Sequence, residues 1–167
     1  MSVSSSLEGY PAENIVDGGA RTAWVAQSNR DMEWAQVDLQ RLSSIHAIQV
    51  NFDEYGANQK GAVSGVYQSY LIYASVNGED WSLVVDYGTK KTDTPHDYIE
   101  FEEPFKARYI KLQNKEYMVS ENFSVRDLRI FGKGQGSTPR AVNDFTVERD
   151  EAAPCKARLC WEAVPDA

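Results

Sequence analysis

Apolar and polar residues alternate through the middle of the chain with the two-residue period of a pleated strand. Ile48, Val50 and Phe52 alternate with Gln49 and Asn51, which sets three large apolar side chains on one face and leaves the other wet. Similar alternation or short apolar runs, rich in Tyr, Val, Ile and Phe, occupy 69–76, 81–87, 98–101, 108–112 and 125–131. No segment carries a long helical period. Turn signals stand between the runs at Gly18-Gly19, Asn77-Gly78 and Glu103-Pro104. A parallel sheet would need repeated crossover helices, so the pattern predicts an all-β, antiparallel sandwich.

Two stretches are too long and polar for tight turns. These are Asp53 to Gln68, with three glycines, and Gly88 to Asp97, with Lys90-Lys91 and Pro95. Long loops on a rigid sandwich are where recognition usually happens. Further on, Gly134-Gln135-Gly136-Ser137-Thr138-Pro139 reads as a linker at 134–139, which divides a main domain at 1–133 from a tail at 140–167. The tail carries strand-like runs at 142–147 and 157–161. Two strands in about 28 residues cannot enclose a core, so the tail is expected to be the first part of a further module.

Composition narrows the possible partners. The chain has 167 residues, of which 42% are apolar and 11% aromatic, enough for one packed core and too apolar for a disordered chain. Against 17 Lys and Arg stand 25 Asp and Glu, a formal charge of -8. That balance repels phosphate backbones and anionic lipid, so neither nucleic acid nor a membrane surface is an expected partner. The apolar runs fall far short of the roughly 20 residues needed to cross a bilayer. Both cysteines, Cys155 and Cys160, lie in the tail, so disulfides cannot hold the main domain together. Their spacing matches neither a zinc nor a redox motif, which leaves structural thiols or a local disulfide.

Several motifs then occur in a definite order. Ala12-Glu13-Asn14-Ile15-Val16-Asp17-Gly18-Gly19-Ala20-Arg21-Thr22-Ala23-Trp24 is followed by Trp34-Ala35-Gln36-Val37-Asp38-Leu39, then by Tyr70 to Gly78 with Trp81. Ala107 to Leu112 and Val125 to Gly132 complete the series. Together these resemble the discoidin domain, also called the coagulation-factor C-type domain, over residues 3 to 133. The resemblance implies a galactose-binding-like, jelly-roll-like β-sandwich of about eight core strands, and a binding role. Two positions depart from the pattern: Gly19 stands where many relatives have an acidic residue, and Gln40 where they have glycine. The tail is similar to the start of the fibronectin-type-III-like modules that follow such domains in bacterial glycoside hydrolases.

The resemblance implies a structural calcium on Asp17 and Thr22, completed by Asp127 on the last strand; a carboxylate, a hydroxyl and loop carbonyls are the oxygens calcium prefers. The competing reading is that Asp17 and Thr22 close their own loop through hydrogen bonds to its backbone. A sugar site needs a ring face for axial hydrogens and fixed polar groups for hydroxyls. Trp24, Trp34 and Trp81 occupy signature positions that pack in or against the sandwich. The remaining loop residues predict Tyr55 or Tyr117 for stacking, with Arg30, Gln59, His96 and Asn122 as hydrogen-bond partners. Catalysis finds little support. His46 lies inside a strand, no nucleophile elbow surrounds His96, and adjacent acids such as Glu102-Glu103 point to opposite faces and cannot flank one bond.

The resemblance thus implies a non-catalytic carbohydrate-binding module, monomeric, that tethers a glycosidase domain in cis to a galactose-, N-acetylhexosamine- or arabinan-type glycan. It also implies an extracellular or periplasmic setting. Two alternatives are a protein- or membrane-adhesion domain, whose one apolar spike would be Tyr117-Met118-Val119, and a rigid spacer without ligand.

Overall fold

The β-branched and aromatic runs form strands that order themselves around two unusually long members. The computed structural model describes residues 1–56, 65–134, 144–149 and 156–162. Its strands are β1 (Ser2–Val3), β2 (Trp24–Val25), β3 (Trp34–Phe52), β4 (Gln68–Ser75), β5 (Ser82–Thr92), β6 (His96–Tyr117) and β7 (Ser124–Lys133), with a short 3-10 turn at Ala12–Ile15. The chain divides into two units, Met1–Gln135 and Gly136–Ala167.

In the first unit β3 and β6 pair antiparallel along nearly their full lengths, from Trp34 opposite Gln113 to Asn51 opposite His96. Register breaks between Asp38 and Ser43 and between Ile45 and Ala47 let the two strands turn a corner together. Before the corner, β3 lies between β1 and β6, and β6 continues the layer to β4 and β5. Past it, β3 lies between β6 and β7, and β7 carries β2. One hydrogen-bonded array of seven strands is thereby folded into a sandwich, all of it antiparallel.

Two expected boundaries differ. Glu103-Pro104, read as a turn between strands, is an unpaired step inside β6, since Phe105 and Glu100 are successive partners of β3. Proline has no N–H to give a ladder, and a bulge is where a sheet tolerates it. The expected long loop at 88–97 is mostly strand, because β5 runs to Thr92 and β6 starts at His96, leaving only Asp93, Thr94 and Pro95. The first register break explains a sequence departure as well: Gln40 sits at φ 65, in the left-handed region that glycine occupies without strain. Its N–H is held by Asp38 Oδ1 at 2.8 Å.

The interior follows the alternation. Ile48, Val50 and Phe52 are buried while Gln49 and Asn51 are half-exposed on the opposite face. Trp24 packs edge-on against Phe123 at 5.7 Å between centroids, and Phe52 meets Tyr70 at 5.3 Å and Phe123 at 6.2 Å. Such ring pairs contribute about 0.5–1.5 kcal/mol each beyond the area they bury. The Trp24 indole N–H is satisfied by Ser5 O at 2.9 Å. Trp34 and Trp81 are half-buried, and Lys111 Nζ lies 4.1 Å from the Trp81 ring centre.

In the second unit β8 (Thr146–Arg149) and β9 (Ala157–Cys160) form an antiparallel pair. Phe145, Val147, Leu159 and Trp161 are all exposed there among the described residues. Cys160 is exposed and free. Cys155 and the expected linker from 135 onward lie outside the described residues.

Candidate functional site

Because β3 ends where β6 and β7 begin, and β2 ends beside the start of β7, four connections meet at one end of the sandwich. They join β2 to β3, β3 to β4, β5 to β6 and β6 to β7. Backbone hydrogen bonds tie them together: Phe52 N to Pro95 O at 2.8 Å, Asp53 N to Ser124 O at 3.1 Å, Met118 N to Tyr67 O at 2.9 Å and Phe123 N to Ser28 O at 2.9 Å. Side chains reinforce this. The buried amide of Asn114 donates to the carbonyls of Asn29 and Arg30 at 2.8 and 2.9 Å, and Asn29 Nδ2 donates to Ser120 O at 2.9 Å. Glu33 accepts from the hydroxyls of Ser5 at 2.8 Å, Ser28 at 2.7 Å and Ser4. Burial raises its carboxyl, but these hydroxyls and the Arg30 charge outweigh it and lower the pKa below the ordinary value.

The short β5–β6 connection is pinned from beneath. Tyr70, fully buried on β4, donates its hydroxyl to Asp97 Oδ2 at 2.8 Å, and Lys90 on β5 reaches Asp97 Oδ1 at 2.5 Å. Burial, then the bond to Asp97, pushes the Tyr70 phenol far above its ordinary range. The ion pair on Asp97 joins β5 to β6 one residue beyond His96 and so fixes the start of β6.

On this end opens a concavity of about 360 Å3 lined by Asn51, Phe52, Glu54, Pro95, His96 and Arg126. Its apolar lining is Pro95 and the buried Phe52. Its rim carries an imidazole, a guanidinium, a carboxylate and an amide. The Arg126 guanidinium is held by Asp53 Oδ1 and donates from Nη1 to Ala20 O at 3.1 Å. A small hydroxylated ligand, which both donates and accepts, would find partners of both kinds there.

Residues 1–128 match the family described as the F5/8 type C domain. The chain belongs to that family. Rat (Rattus norvegicus) lactadherin is 34% identical over 110 residues, 62% of this chain and 25% of lactadherin. The chain thus spans about a quarter of the length of the curated relatives it matches. Among solved structures, a chitosan-binding module 2 from Paenibacillus sp. IK-5, in complex with chitotriose, superposes with a TM-score of 0.66 at 20% identity, over 78% of this chain and 94% of that one. The family 32 CBM of C. perfringens NanJ, in complex with galactose, gives 0.59 at 20% identity, over 77% and 90%. These likenesses establish a shared β-sandwich fold.

The F5/8 type C domain here brings together only some of the expected site residues. His96 lines the concavity, and Tyr55 follows the lining residue Glu54, with its ring edge-on to Tyr10 at 4.9 Å. Arg30 is exposed on the β2–β3 connection, which Asn114 fixes, but does not line the concavity. Tyr117 is corrected outright. It is the last residue of β6 and points inward at 2% exposure, with its ring against Phe123 at 5.3 Å and its hydroxyl donated to Asp53 O. Burial pushes its phenol well above the ordinary range, and no ring face is left for a sugar. Asn122 is half-exposed on the β6–β7 connection and does not line the concavity; its amide donates to Ala26 O at 2.9 Å and ties two connections together. Gln59 lies outside the described residues. Asn51, Glu54 and Arg126 were missed, although the wet-face alternation at 49 and 51 was a usable signal for Asn51.

The expected calcium residues do not fit a metal cage. Asp17 Oδ1 already accepts Gly19 N–H at 2.6 Å and the Thr22 hydroxyl at 3.0 Å, the self-closed turn of the competing reading. The Arg126 cation donates to Ala20 O, one of that loop's own carbonyls. Asp127 lies instead against Arg129 Nε at 2.5 Å and Asn51 Nδ2 at 3.3 Å. A Cβ at position 19 would stand 2.2 Å from the Thr22 hydroxyl, so a side chain there would require Thr22 to turn away and open this loop.

Proposed function

We propose that the chain is a non-catalytic carbohydrate-binding domain whose loop-end concavity takes one sugar residue. The observation that carries this reading is the convergence of His96, Arg126, Glu54 and Asn51 with Phe52 around one concavity, on a set of connections locked to one another. Arg126 and Asn51 donate to ring hydroxyls, Glu54 accepts from them, and His96 can do either. Hydrogen bonds to charged groups are worth about 1.5–3 kcal/mol each, and a few suffice for weak, specific binding. Hydrolysis of a glycosidic bond takes two carboxyl groups across the scissile bond, and Glu54 is the only carboxylate among the described lining residues. The galactose and chitotriose bound by similarly folded modules support the same ligand class. In this reading the domain raises local substrate concentration for a glycosidase unit in cis, outside the cytoplasm.

A glycan array with wild type and His96→Ala tests it. Retention of a galactose-, N-acetylhexosamine- or arabinan-type glycan is expected, with His96→Ala binding about tenfold weaker. Retention on liposomes with no glycan signal would replace this reading by the adhesion one.

A further inference from the structure

The concavity does not end at its rim. Asn51 and His96, which line it, are cross-strand partners, and Asn51 is also opposite Asp127. Residues two apart on a strand share a face, so the outer surface of this layer continues as successive rows. The first is His96, Asn51 and Asp127; the second is Tyr98, Gln49 and Arg129; the third is Glu100, Ala47 and Phe131. Hydrogen bonds run along them: Gln49 Nε2 to Asn51 Oδ1 at 3.1 Å, Asn51 Nδ2 to Asp127 Oδ2, and Arg129 Nε to Asp127 Oδ2.

Two rings stand on this face in the open. Tyr98 is 59% exposed and Phe131 40%, and they meet edge-on at 5.8 Å between centroids. Ala47, in register between Glu100 and Phe131, is buried yet belongs to no part of the interior cluster. An ordinary wet face of a sandwich carries polar residues at such positions, and two aromatics beside an amide row are the groups a sugar ring uses.

We infer that this outer face is a second, extended part of the same ligand site, on which a glycan chain leaving the concavity lies along the rows, with Tyr98 and Phe131 as its apolar platform. The inference rests on the proposed sugar site in the concavity. From Asn51 to Ala47 the strand rises about 13 Å, the reach of a short oligosaccharide and more than one ring needs. Arg129 offsets Asp127 and Glu100 leaves one carboxylate in the third row, so the face repels acidic chains and suits a neutral one. Continuity with the concavity through Asn51 and His96 distinguishes it from the other outer face, whose rings at Tyr73 and Trp81 are covered by the Lys111 ammonium.

The test is isothermal titration with two pairs of probes, galactose against β-1,4-galactotriose and N-acetylglucosamine against chitotriose. Wild type, His96→Ala and the double variant Tyr98→Ala/Phe131→Ala are compared, with thermal melting to check that each is folded. Wild type should bind one of the trisaccharides about tenfold tighter than its monosaccharide. The double variant should lose that advantage while its monosaccharide affinity stays unchanged. An advantage that survives in the double variant, or that is missing in the wild type, overturns the extended site and leaves the concavity standing. Absence of binding to all four probes and to an arabinan oligosaccharide overturns the concavity and the extension together. A wild-type dimer in sedimentation without sugar, dissociated by the double variant, would assign the face to a second copy of the chain and overturn the inference.

Discussion

The inner and outer faces of the four-stranded layer are made by alternate residues of the same strands, yet they differ in kind. Inward, Phe52, Val50 and Ile48 join Trp24, Tyr117 and Phe123 in a closed set of rings and branched chains. Outward, Asn51 and Gln49 stand beside His96, Tyr98 and Phe131 at the surface. The lesson is that stability and recognition are separated here by single-residue steps along one strand. A substitution can therefore address one and spare the other.

The sharpest way to break that comparison is a matched pair of truncations. Phe123→Ala is expected to cost about 3–5 kcal/mol in denaturant unfolding, as large-to-small changes of buried rings do, whereas Phe131→Ala, which loses only its edge-on pair with Tyr98, should cost about 1 kcal/mol. Equal losses would mean that the outer ring is structural. Next comes alkaline pH. Tyr70 and Tyr117 both have phenols raised by burial above the ordinary value of 10.0, so their contribution is complete below pH 10 and is lost as pH rises through the folded values. Unfolding measured at pH 9, 10 and 11 should be flat at first and then fall by up to about 3 kcal/mol at pH 11. A stability that does not change to pH 11 contradicts the burial of these hydroxyls.

Smaller effects sharpen the same contrast. Tyr117→Phe keeps the buried ring and removes its hydroxyl's bonds to Asp53 O and to the Ser124 hydroxyl, so a loss of about 1–2 kcal/mol is expected. Gln40→Gly relieves a left-handed residue and should stabilise by about 0.5 kcal/mol, less than the full strain because glycine also loosens the unfolded chain. The backbone N–H that Asp38 holds is kept in this variant, so a lower midpoint would show that the added freedom of the unfolded chain outweighs the relieved strain. Least of all, a chelator should leave the melting temperature unchanged, because Asp17, Thr22 and Arg126 close their loop among themselves. A shift of several degrees would restore the metal reading.

The architecture was legible because alternation is a property of the strand itself: Ile48, Val50 and Phe52 had to face one way. The continuity of β3 and β6 was not, since a proline after two acids looks the same in a turn and in a bulge. For the site, His96 and the neighbourhood of Tyr55 could be read from loop chemistry. Tyr117 could not. It closes a strand beside an exposed Met118, and only the end point of β6 decides which of the two side chains turns inward. Arg126 was hidden for a related reason: it lies at the register break between Asn51 and Phe52, where simple alternation fails.

The pairing of β3 with β6 also sets the kinetics of folding. Trp34 meets Gln113 and Asn51 meets His96, so partners lie far apart along the chain and the entropy of closing the intervening segment comes before any reward. Neither layer is complete until β6 has emerged, and β7 must follow to cover its neighbour. A nascent chain would therefore stay open on the ribosome until nearly the whole first unit had been made, and then collapse in one late step.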